Sequence, residues 1–332
     1  MLRFLDGENG ERLPVCPMFD RDYMMKAAGI PERPWGELEN PERLAVIEGC
    51  YRRHPDVDFV FCPSGTVDRA LYGPAGRTFD PTGKDPDGLA REIGDPPSVA
   101  EVLGTGIYEY MSGLVDRLGQ DVLPAFTINV PFAHTVDLFG GYEQGLMALA
   151  ARPDAFKAVY LALCRRQVSF MEAAAGTGMP AVWITQYYAG CDTISPSTYR
   201  EIALPGERLL FESAQRLGLK TMFWFLGDLV PILPDITTLR PDALVLEPGR
   251  KGYEVDVGSV RQVAGPELGV CGCPDEQDMA FGRLGGITAS VQAFVKAAAD
   301  GPMAVTTPIL KADTDETTVD SLIEACRRHR IG

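Results

Sequence analysis

The sequence has few basic side chains for its length. It contains 31 Lys and Arg against 46 Asp and Glu, which gives a formal net charge of −15 over 332 residues. Nucleic-acid binding depends on clustered Lys and Arg that neutralise phosphates. We therefore expect no nucleic-acid partner.

Long hydrophobic runs are also missing. No stretch reaches the roughly 18 apolar residues that a membrane-spanning helix requires. The N-terminal stretch MLRFLDGENGERLPV carries Asp and Glu where a secretory signal would need an apolar core. These absences predict a cytoplasmic protein with no membrane partner.

The eight cysteines show no C-x-x-C spacing. In a reducing compartment, cysteines are more often buried small hydrophobes, metal ligands or catalytic groups than disulfides. The only close pair is Cys271 and Cys273. Because they are two positions apart, their side chains would point to the same face of a strand. They are interpreted either as two core thiols or as metal ligands.

Eight short apolar runs alternate with amphipathic segments along the chain. This alternation over about 300 residues is typical of an α/β fold built as a (β/α)₈ TIM barrel. The rival, a doubly wound sheet, would usually show a Gly-rich phosphate loop after the first strand, and none is present. The predicted strands are residues 14–19, 57–62, 124–130, 181–187, 220–226, 243–247, 268–273 and 303–307.

We therefore predict one TIM-barrel domain over residues 1–332, with N-terminal helices and an irregular insertion after strand two at 64–100. Asn40 is expected to cap a helix that has Pro41 at its first position. Helices are predicted over about 99–118 and over the amphipathic segment 197–218.

The carboxyl ends of the strands supply the catalytic groups of TIM barrels. Here those ends are rich in aromatic, acidic and thiol side chains and poor in cations. The residues concerned are Asp20, Cys62 to Ser64, Asn129 with His134, Tyr187 with Tyr188, Trp224 with Asp228, Glu247, Cys271 with Cys273, and Thr306 with Thr307.

Several strand-end residues have a structural as well as a functional interpretation. Glu247 is either an ion-pair partner of Arg250 or Lys251 or a group of the site. His134 is either a loop histidine or a catalytic one. The other two histidines, His54 and His329, are expected in surface helices.

The aromatic strand ends leave the same choice open. Tyr187, Tyr188 and Trp224 either fill the core or form a stacking wall for a planar ligand. Glu247 and the Cys271–Cys273 pair lie on neighbouring strands of the predicted barrel. Together they could hold Zn²⁺ through mixed sulfur and oxygen ligands.

Four segments resemble the uroporphyrinogen decarboxylase superfamily. They are residues 131–160, ISPSTYREIALP at 194–205, GLKTMFWFLGD at 218–228 and TDETTVDSLIEA at 314–325. The resemblance extends from about Leu13 to the C-terminus, and the ISPxxY stretch followed by a helix and a strand ending in Gly-Asp is its most specific part. It implies a single TIM barrel. The superfamily also contains cobalamin-dependent methyltransferases that act on methanol, methylamine, coenzyme M and aryl methyl ethers.

The sequence motifs that accompany the two best-known activities of that superfamily are incomplete in this chain. The Arg-rich MRQAGR motif of the decarboxylases falls on Met18–Tyr23, where acids replace the cations, and their strand-two Asp falls near Cys62. Their late His falls in TTPILK, which has no His. The zinc ligands of the thiol-methylating members fall on Trp224, Leu226 and about Pro308, none of which is a ligand.

What remains of the resemblance implies a corrinoid-linked methyltransferase. It would move a methyl group from a small methylated substrate, of the aryl methyl ether or methylamine type, to a corrinoid carried by a partner protein. The alternatives are a decarboxylase acting on a different acid and a catalytically inactive ligand-binding barrel. Metal analysis helps to separate the methyltransferase from the inactive barrel, and binding of uroporphyrinogen would favour the decarboxylase.

The predicted site residues fall into three groups. Seven of them are expected to converge on one pocket at the carboxyl ends of the strands: Asn129, His134, Tyr187, Tyr188, Trp224, Asp228 and Glu247. Substrate binding is assigned to Asn129, Tyr187, Tyr188, Trp224 and Cys62, catalysis to Glu247, Asp228 and His134, and Zn²⁺ binding to Glu247, Cys271 and Cys273. The metal would polarise the leaving oxygen or nitrogen as a Lewis acid.

Overall fold

The computed structural model describes residues 1–63, 78–80, 85–247, 253 and 255–331. Its centre is an eight-stranded parallel sheet in the order β1-β8-β7-β6-β5-β4-β3-β2. The strands are β1 Val15–Cys16, β2 Phe59–Cys62, β3 Leu123–Asn129, β4 Ala181–Gln186, β5 Lys220–Phe225, β6 Ala243–Leu246, β7 Gly269–Gly272 and β8 Met303–Thr306. This confirms the predicted (β/α)₈ barrel.

The seam between β1 and β2 closes the ring. The Asp58 backbone N–H donates to the Val15 carbonyl over 2.9 Å. The first strand is shorter than predicted, because Pro14 and Pro17 on either side of it have no N–H to donate to a neighbouring strand.

Helices surround the barrel. The described α-helices begin with α1 Leu2–Leu5, α2 Arg21–Ala27, α3 Asn40–Arg53, α4 Pro86–Ile93, α5 Val99–Gly104, α6 Glu109–Leu118, α7 Phe132–Leu138, α8 Tyr142–Ala151 and α9 Pro153–Ala175. They continue with α10 Pro196–Thr198, α11 Leu204–Arg216, α12 Leu233–Thr237, α13 Val257–Ala264, α14 Glu276–Ala280, α15 Leu284–Ala297 and α16 Glu316–Arg328. Short 3₁₀ turns occupy Trp35–Glu37, Val230–Ile232 and Ala298–Asp300.

Alternate strand residues divide the core into two parts. Of every two consecutive residues along a strand, one packs its side chain outward against the helices, as Ile184 and Phe223 do. The next points into the lumen, as Trp183 and Met222 do. Phe4 of α1 belongs to the lumen cluster, so the N-terminal helix contributes to the packing of the barrel interior.

Two details of the predicted helices were wrong. Glu39, not Asn40, caps α3, and the Asn40 side chain donates instead to the Gly106 carbonyl at 2.9 Å. The helix predicted over 99–118 is broken into α5 and α6 at Gly106, whose φ is 71°. The predicted insertion at 64–100 lies partly outside the described residues, and its last part contains α4 and the start of α5.

The segment predicted as a helix over 197–218 is helical from Pro196 to Arg216, which confirms that prediction. A π turn at Tyr199–Ala203 separates α10 from α11. Pro205 accounts for it, because it has no N–H to donate to the Glu201 carbonyl four residues earlier.

Candidate active site

A cavity of about 790 Å³ opens at the carboxyl ends of the strands. Strand ends and the segment that follows β1 form its walls. The described lining residues are Met18, Phe19, Asp20, Arg21, Asp22, Glu32, Arg33, Pro34, Trp35, Phe61, Pro63, Thr127, Asn129, Thr185, Tyr187, Trp224 and Ile309. Such a concave site at the carboxyl face is where barrels of this kind bind their substrates.

Aromatic rings form the deep part of the cavity. Trp224 is 7% exposed, and its ring meets Trp183 edge-on at a centroid distance of 6.2 Å. Trp183 in turn contacts Phe61 at 5.9 Å. Tyr187 contacts Trp224 at 6.4 Å. The rings hold one another in place, so a planar or apolar ligand meets a preformed surface.

Polar groups lie on the same wall. Thr127 and Asn129 are alternate residues of β3, and Thr185 and Tyr187 have the same spacing at the end of β4. Burial raises the pKa of Tyr187, and the negative charge of Glu247 adds to the effect. The Tyr187 hydroxyl is therefore protonated at neutral pH and can donate a hydrogen bond.

The outer part of the cavity carries charges of both signs. The Arg21 guanidinium lies 5.9 Å from the centre of the Trp35 ring, a cation–π distance. Burial lowers the pKa of Arg21 and raises the pKa of Asp20, although the Tyr23 N–H donates to Asp20 over 2.7 Å. Arg33 lies at the edge, paired with Glu42 at 2.6 Å.

The comparisons with known proteins identify the family. Residues 90–329 match the family model for uroporphyrinogen decarboxylase (URO-D). This chain belongs to the uroporphyrinogen decarboxylase family. Twenty-three solved chains match, and they include a methyltransferase from Methanosarcina mazei, with 18% identity and a TM-score of 0.77. The match covers 98% of this chain and 97% of that one, and it shows a shared fold. No curated protein matches the sequence significantly.

In this member of the uroporphyrinogen decarboxylase family, three of the predicted residues line the cavity: Asn129, Tyr187 and Trp224. Tyr188 is the next residue in the chain after Tyr187, but it is not among the described lining residues and is 39% exposed. Its backbone has a φ of 65°, and its ring meets Tyr142 at 5.1 Å.

The described residues that line the cavity do not include the other predicted groups. His134 is half-buried in α7. Asp228 stabilises a loop: its side chain accepts from the Val230 N–H at 3.1 Å, and its own N–H donates to Asp192 at 2.9 Å. Glu247 follows β6 and is close enough to Tyr187 for its charge to raise that pKa. Its predicted partners Arg250 and Lys251 lie outside the described residues.

Cys62 faces away from the cavity, which corrects its predicted position. It is fully buried among the residues that pack between strands and helices, while Phe61 lines the cavity. Successive strand residues point to opposite faces, so only one of these two can reach the lumen side. Burial raises the pKa of the Cys62 thiol.

The predicted zinc ligands do not form a cluster. Cys271 is fully buried in the lumen with Val245 and Ala304, and burial raises its pKa. Cys273 is half-buried, with its sulfur 3.4 Å from the Pro274 carbonyl. Within residues 1–63, 78–80, 85–247, 253 and 255–331, no group of three or more His, Cys, Asp or Glu side chains is placed to hold a metal ion. The three predicted ligands therefore do not fit a zinc site.

Sequence reasoning missed the cations of the mouth. Arg21 directly follows Asp20 in the sequence, and both line the cavity together with Arg33. The two arginines lie beside three acids of the lining, Asp20, Asp22 and Glu32, so the expectation of an acidic mouth with few cations holds, but neither arginine was among the predicted residues. Thr127 and Thr185 were also missed, although both share the strand face of residues that were predicted.

In the part of the chain that the structure describes, no helix combines the length and apolar character needed to cross a membrane.

Proposed function

We propose that this uroporphyrinogen decarboxylase family member is a methyltransferase. It takes the methyl group of a small methylated substrate bound in the mouth cavity and passes it to a corrinoid protein. The observation that carries the proposal is the cavity itself, in which the aromatic surface of Trp224 and Tyr187 lies beside the polar groups of Asn129 and Thr185. The solved methyltransferase with the same fold is consistent with this activity.

The chain's own residues would orient the substrate and stabilise its leaving group. A planar methyl aryl ether fits against the Trp224 ring, whose partners hold it rigid. Negative charge develops on the oxygen as the methyl group leaves. The protonated Tyr187 hydroxyl and the Asn129 amide can donate hydrogen bonds to such an oxygen. The corrinoid would supply the nucleophile that accepts the methyl group.

The test is methyl transfer to free cob(I)alamin. Purified protein is mixed with aryl methyl ethers and methylated amines in turn, and loss of the cob(I)alamin absorbance is followed. We expect transfer from at least one class. Trp224→Leu and Asn129→Leu should each lower kcat/KM by about tenfold or more, since each removes a contact to the bound substrate.

The matched control is Val263→Ala, an exposed apolar side chain on α13. It should leave the rate unchanged. No transfer from any methyl donor would overturn the proposal, as would wild-type rates in both cavity variants.

A second candidate function follows from the guanidinium groups. Arg21 and Arg33 line the cavity, and guanidinium groups are suited to binding carboxylates. This favours a decarboxylase acting on a small acid as the alternative. Release of CO₂ from a carboxylic acid, lost in Arg21→Met and unaccompanied by methyl transfer, would select this function over the first.

A further inference from the structure

A buried carboxyl group lies directly behind the aromatic wall of the cavity. Glu207 of α11 is fully buried. Its Oε1 accepts a hydrogen bond from the Gln186 amide over 2.5 Å, and its Oε2 accepts one from the Tyr199 hydroxyl. A buried carboxyl group is costly unless it is hydrogen-bonded, and here both oxygens are.

The π turn at Tyr199–Ala203 brings two of these partners together. Tyr199 and Glu207 are eight residues apart. On a regular α-helix that spacing would separate them by about 80° around the axis. The π turn adds one residue to the turn, so the effective spacing is seven residues, or about 20°. Tyr199 and Glu207 therefore lie on one face, directed at the end of β4.

Gln186 connects this cluster to the cavity. It is the last residue of β4, and the next residue, Tyr187, lines the cavity. The Gln186 carbonyl also accepts from the Leu226 N–H at 3.0 Å, beyond the end of β5. Tyr188 then takes the left-handed conformation, with φ 65°, which a non-glycine residue keeps only where its surroundings hold it.

We propose that Glu207 is a positioning residue that fixes the end of β4 through Gln186 and Tyr199, and thereby sets Tyr187 against the substrate. The proposal uses the proposed function only in taking the mouth cavity as the reaction site. It assigns a role to the ISPxxY stretch, whose Tyr199 is otherwise remote from the cavity lining.

The same contacts make the cluster sensitive to pH. Burial raises the pKa of Glu207 to about 7, although the Tyr199 and Gln186 donors oppose the shift. Tyr199, Tyr160 and Cys164 are the other titratable groups that face it, and burial raises all three pKa values, so they stay neutral near pH 7.

One buried atom is without a hydrogen bond in the ionised form: Gln186 Oε1 has no partner among the described residues. Protonation of Glu207 provides an O–H donor for it once the Gln186 amide rotates by half a turn. The hydrogen-bond pattern behind Tyr187 therefore changes as Glu207 titrates.

The first experiment is hydrogen exchange on the unliganded protein, measured on peptides that cover residues 186–194 and 224–230. Glu207→Ala removes both hydrogen bonds, and we expect the exchange of these peptides to rise by about tenfold or more. Glu207→Gln keeps an acceptor for Tyr199 and gains a donor for Gln186 Oε1, so wild-type protection should be restored. The control is Glu48→Gln, a buried side chain of α3 paired with Arg117 at 3.0 Å.

The second experiment is kinetic. Glu207→Ala should raise KM by about tenfold with a smaller change in kcat, because the wall that holds the substrate has moved. The wild-type KM should change with pH near 7. In Glu207→Gln this step should be absent, and KM should stay close to the wild-type value below pH 7, where Glu207 carries the proton that the Gln amide N–H replaces.

Tyr199→Phe, which removes only the hydroxyl, keeps the test valid if Glu207→Ala does not fold. It should change exchange and KM in the same direction as Glu207→Ala. Unchanged exchange and unchanged KM in Tyr199→Phe, or a pH step that persists in Glu207→Gln, would overturn the inference. Altered exchange in a protein without methyl transfer would uphold it and contradict the proposed function alone.

Discussion

At the scale of single residues, a buried histidine joins the start of the chain to its last helix. His54 is 1% exposed, which corrects its expected place on the surface. Its Nε2 lies 2.8 Å from the Tyr23 hydroxyl, and its Nδ1 lies 3.1 Å from an oxygen of Asp320. Arg53 binds the same carboxylate at 2.8 Å. The arrangement connects α2, α3 and α16, and Arg21 and Asp22 at the start of α2 line the cavity.

The stability of the protein should therefore fall on acidification through His54. Burial lowers the pKa of His54, with Asp320 opposing the shift. The unfolded chain takes up a proton below about pH 6.5, while the folded protein resists it until lower pH. The contribution is thus fully present above about pH 6.5 and is lost as the pH falls through the folded-state pKa.

Urea denaturation at pH 7.5 and 5.5 checks this expectation. The free energy of unfolding should fall more in the wild type than in His54→Gln, which has no titrating ring. His329→Gln, at the end of α16, should behave like the wild type. Equal pH dependence of the wild type and His54→Gln would contradict the assignment.

At the scale of elements, α9 and α11 pack closely at a glycine. A Cβ atom on Gly206 would collide with the ring of Tyr160. The Tyr160 hydroxyl donates to the Ala203 carbonyl at 2.9 Å, within the π turn. This contact holds α11 in the position from which Glu207 reaches Gln186.

Gly206→Ala should destabilise the protein by roughly 1–3 kcal/mol, because the added methyl group overpacks this contact. Gly285→Ala is the matched control: it lies in α15, and its Cβ would meet no atom within 4 Å. There the better helix propensity of Ala should stabilise the protein by about 0.5 kcal/mol. Thermal and urea unfolding of both variants measure the difference, and equal effects would show that the helices are not in contact at Gly206.

At the scale of the whole molecule, one carboxylate closes the barrel. Asp58 precedes β2, and its side chain accepts from the Val15 N–H at 2.9 Å and from two nitrogens of Arg12 at 2.7 and 2.9 Å. Its backbone carbonyl accepts from the Leu123 N–H at 3.1 Å. A strand as short as β1 makes few ladder bonds, so these side-chain bonds replace part of the missing ladder.

Asp58→Ala should lower the free energy of unfolding by roughly 2–4 kcal/mol, since it removes several hydrogen bonds to a charged group. Hydrogen exchange should rise selectively at Val15 and its neighbours. Asp56→Ala provides the control two residues away: Asp56 pairs with Arg327 on the surface at 2.5 Å, and such pairs contribute about 0–1 kcal/mol. If both variants lost the same stability, the seam would not depend on Asp58.

The strand pattern could be predicted because it is local. The run predicted at 181–187 is β4 at Ala181–Gln186, and the run at 124–130 is β3 at Leu123–Asn129. Each strand is apolar on both faces because the lumen and the helix layer both cover it. For the same reason the sequence did not show whether Cys62 points into the lumen or toward the helices. A strand that is apolar on both faces does not reveal which residues point inward.

What the sequence by itself determined is the number and order of the strands, the family and the general place of the site at the strand ends. Only the tertiary structure decided which of those ends meet. It brings Arg21 and Trp35 over the mouth, turns Cys62 away and leaves Asp228 to stabilise a loop. The physical reason is the separation in sequence of the residues that interact. Strand formation follows from neighbouring residues, whereas shared access to one cavity depends on strand facing and on helix packing between residues far apart in the chain.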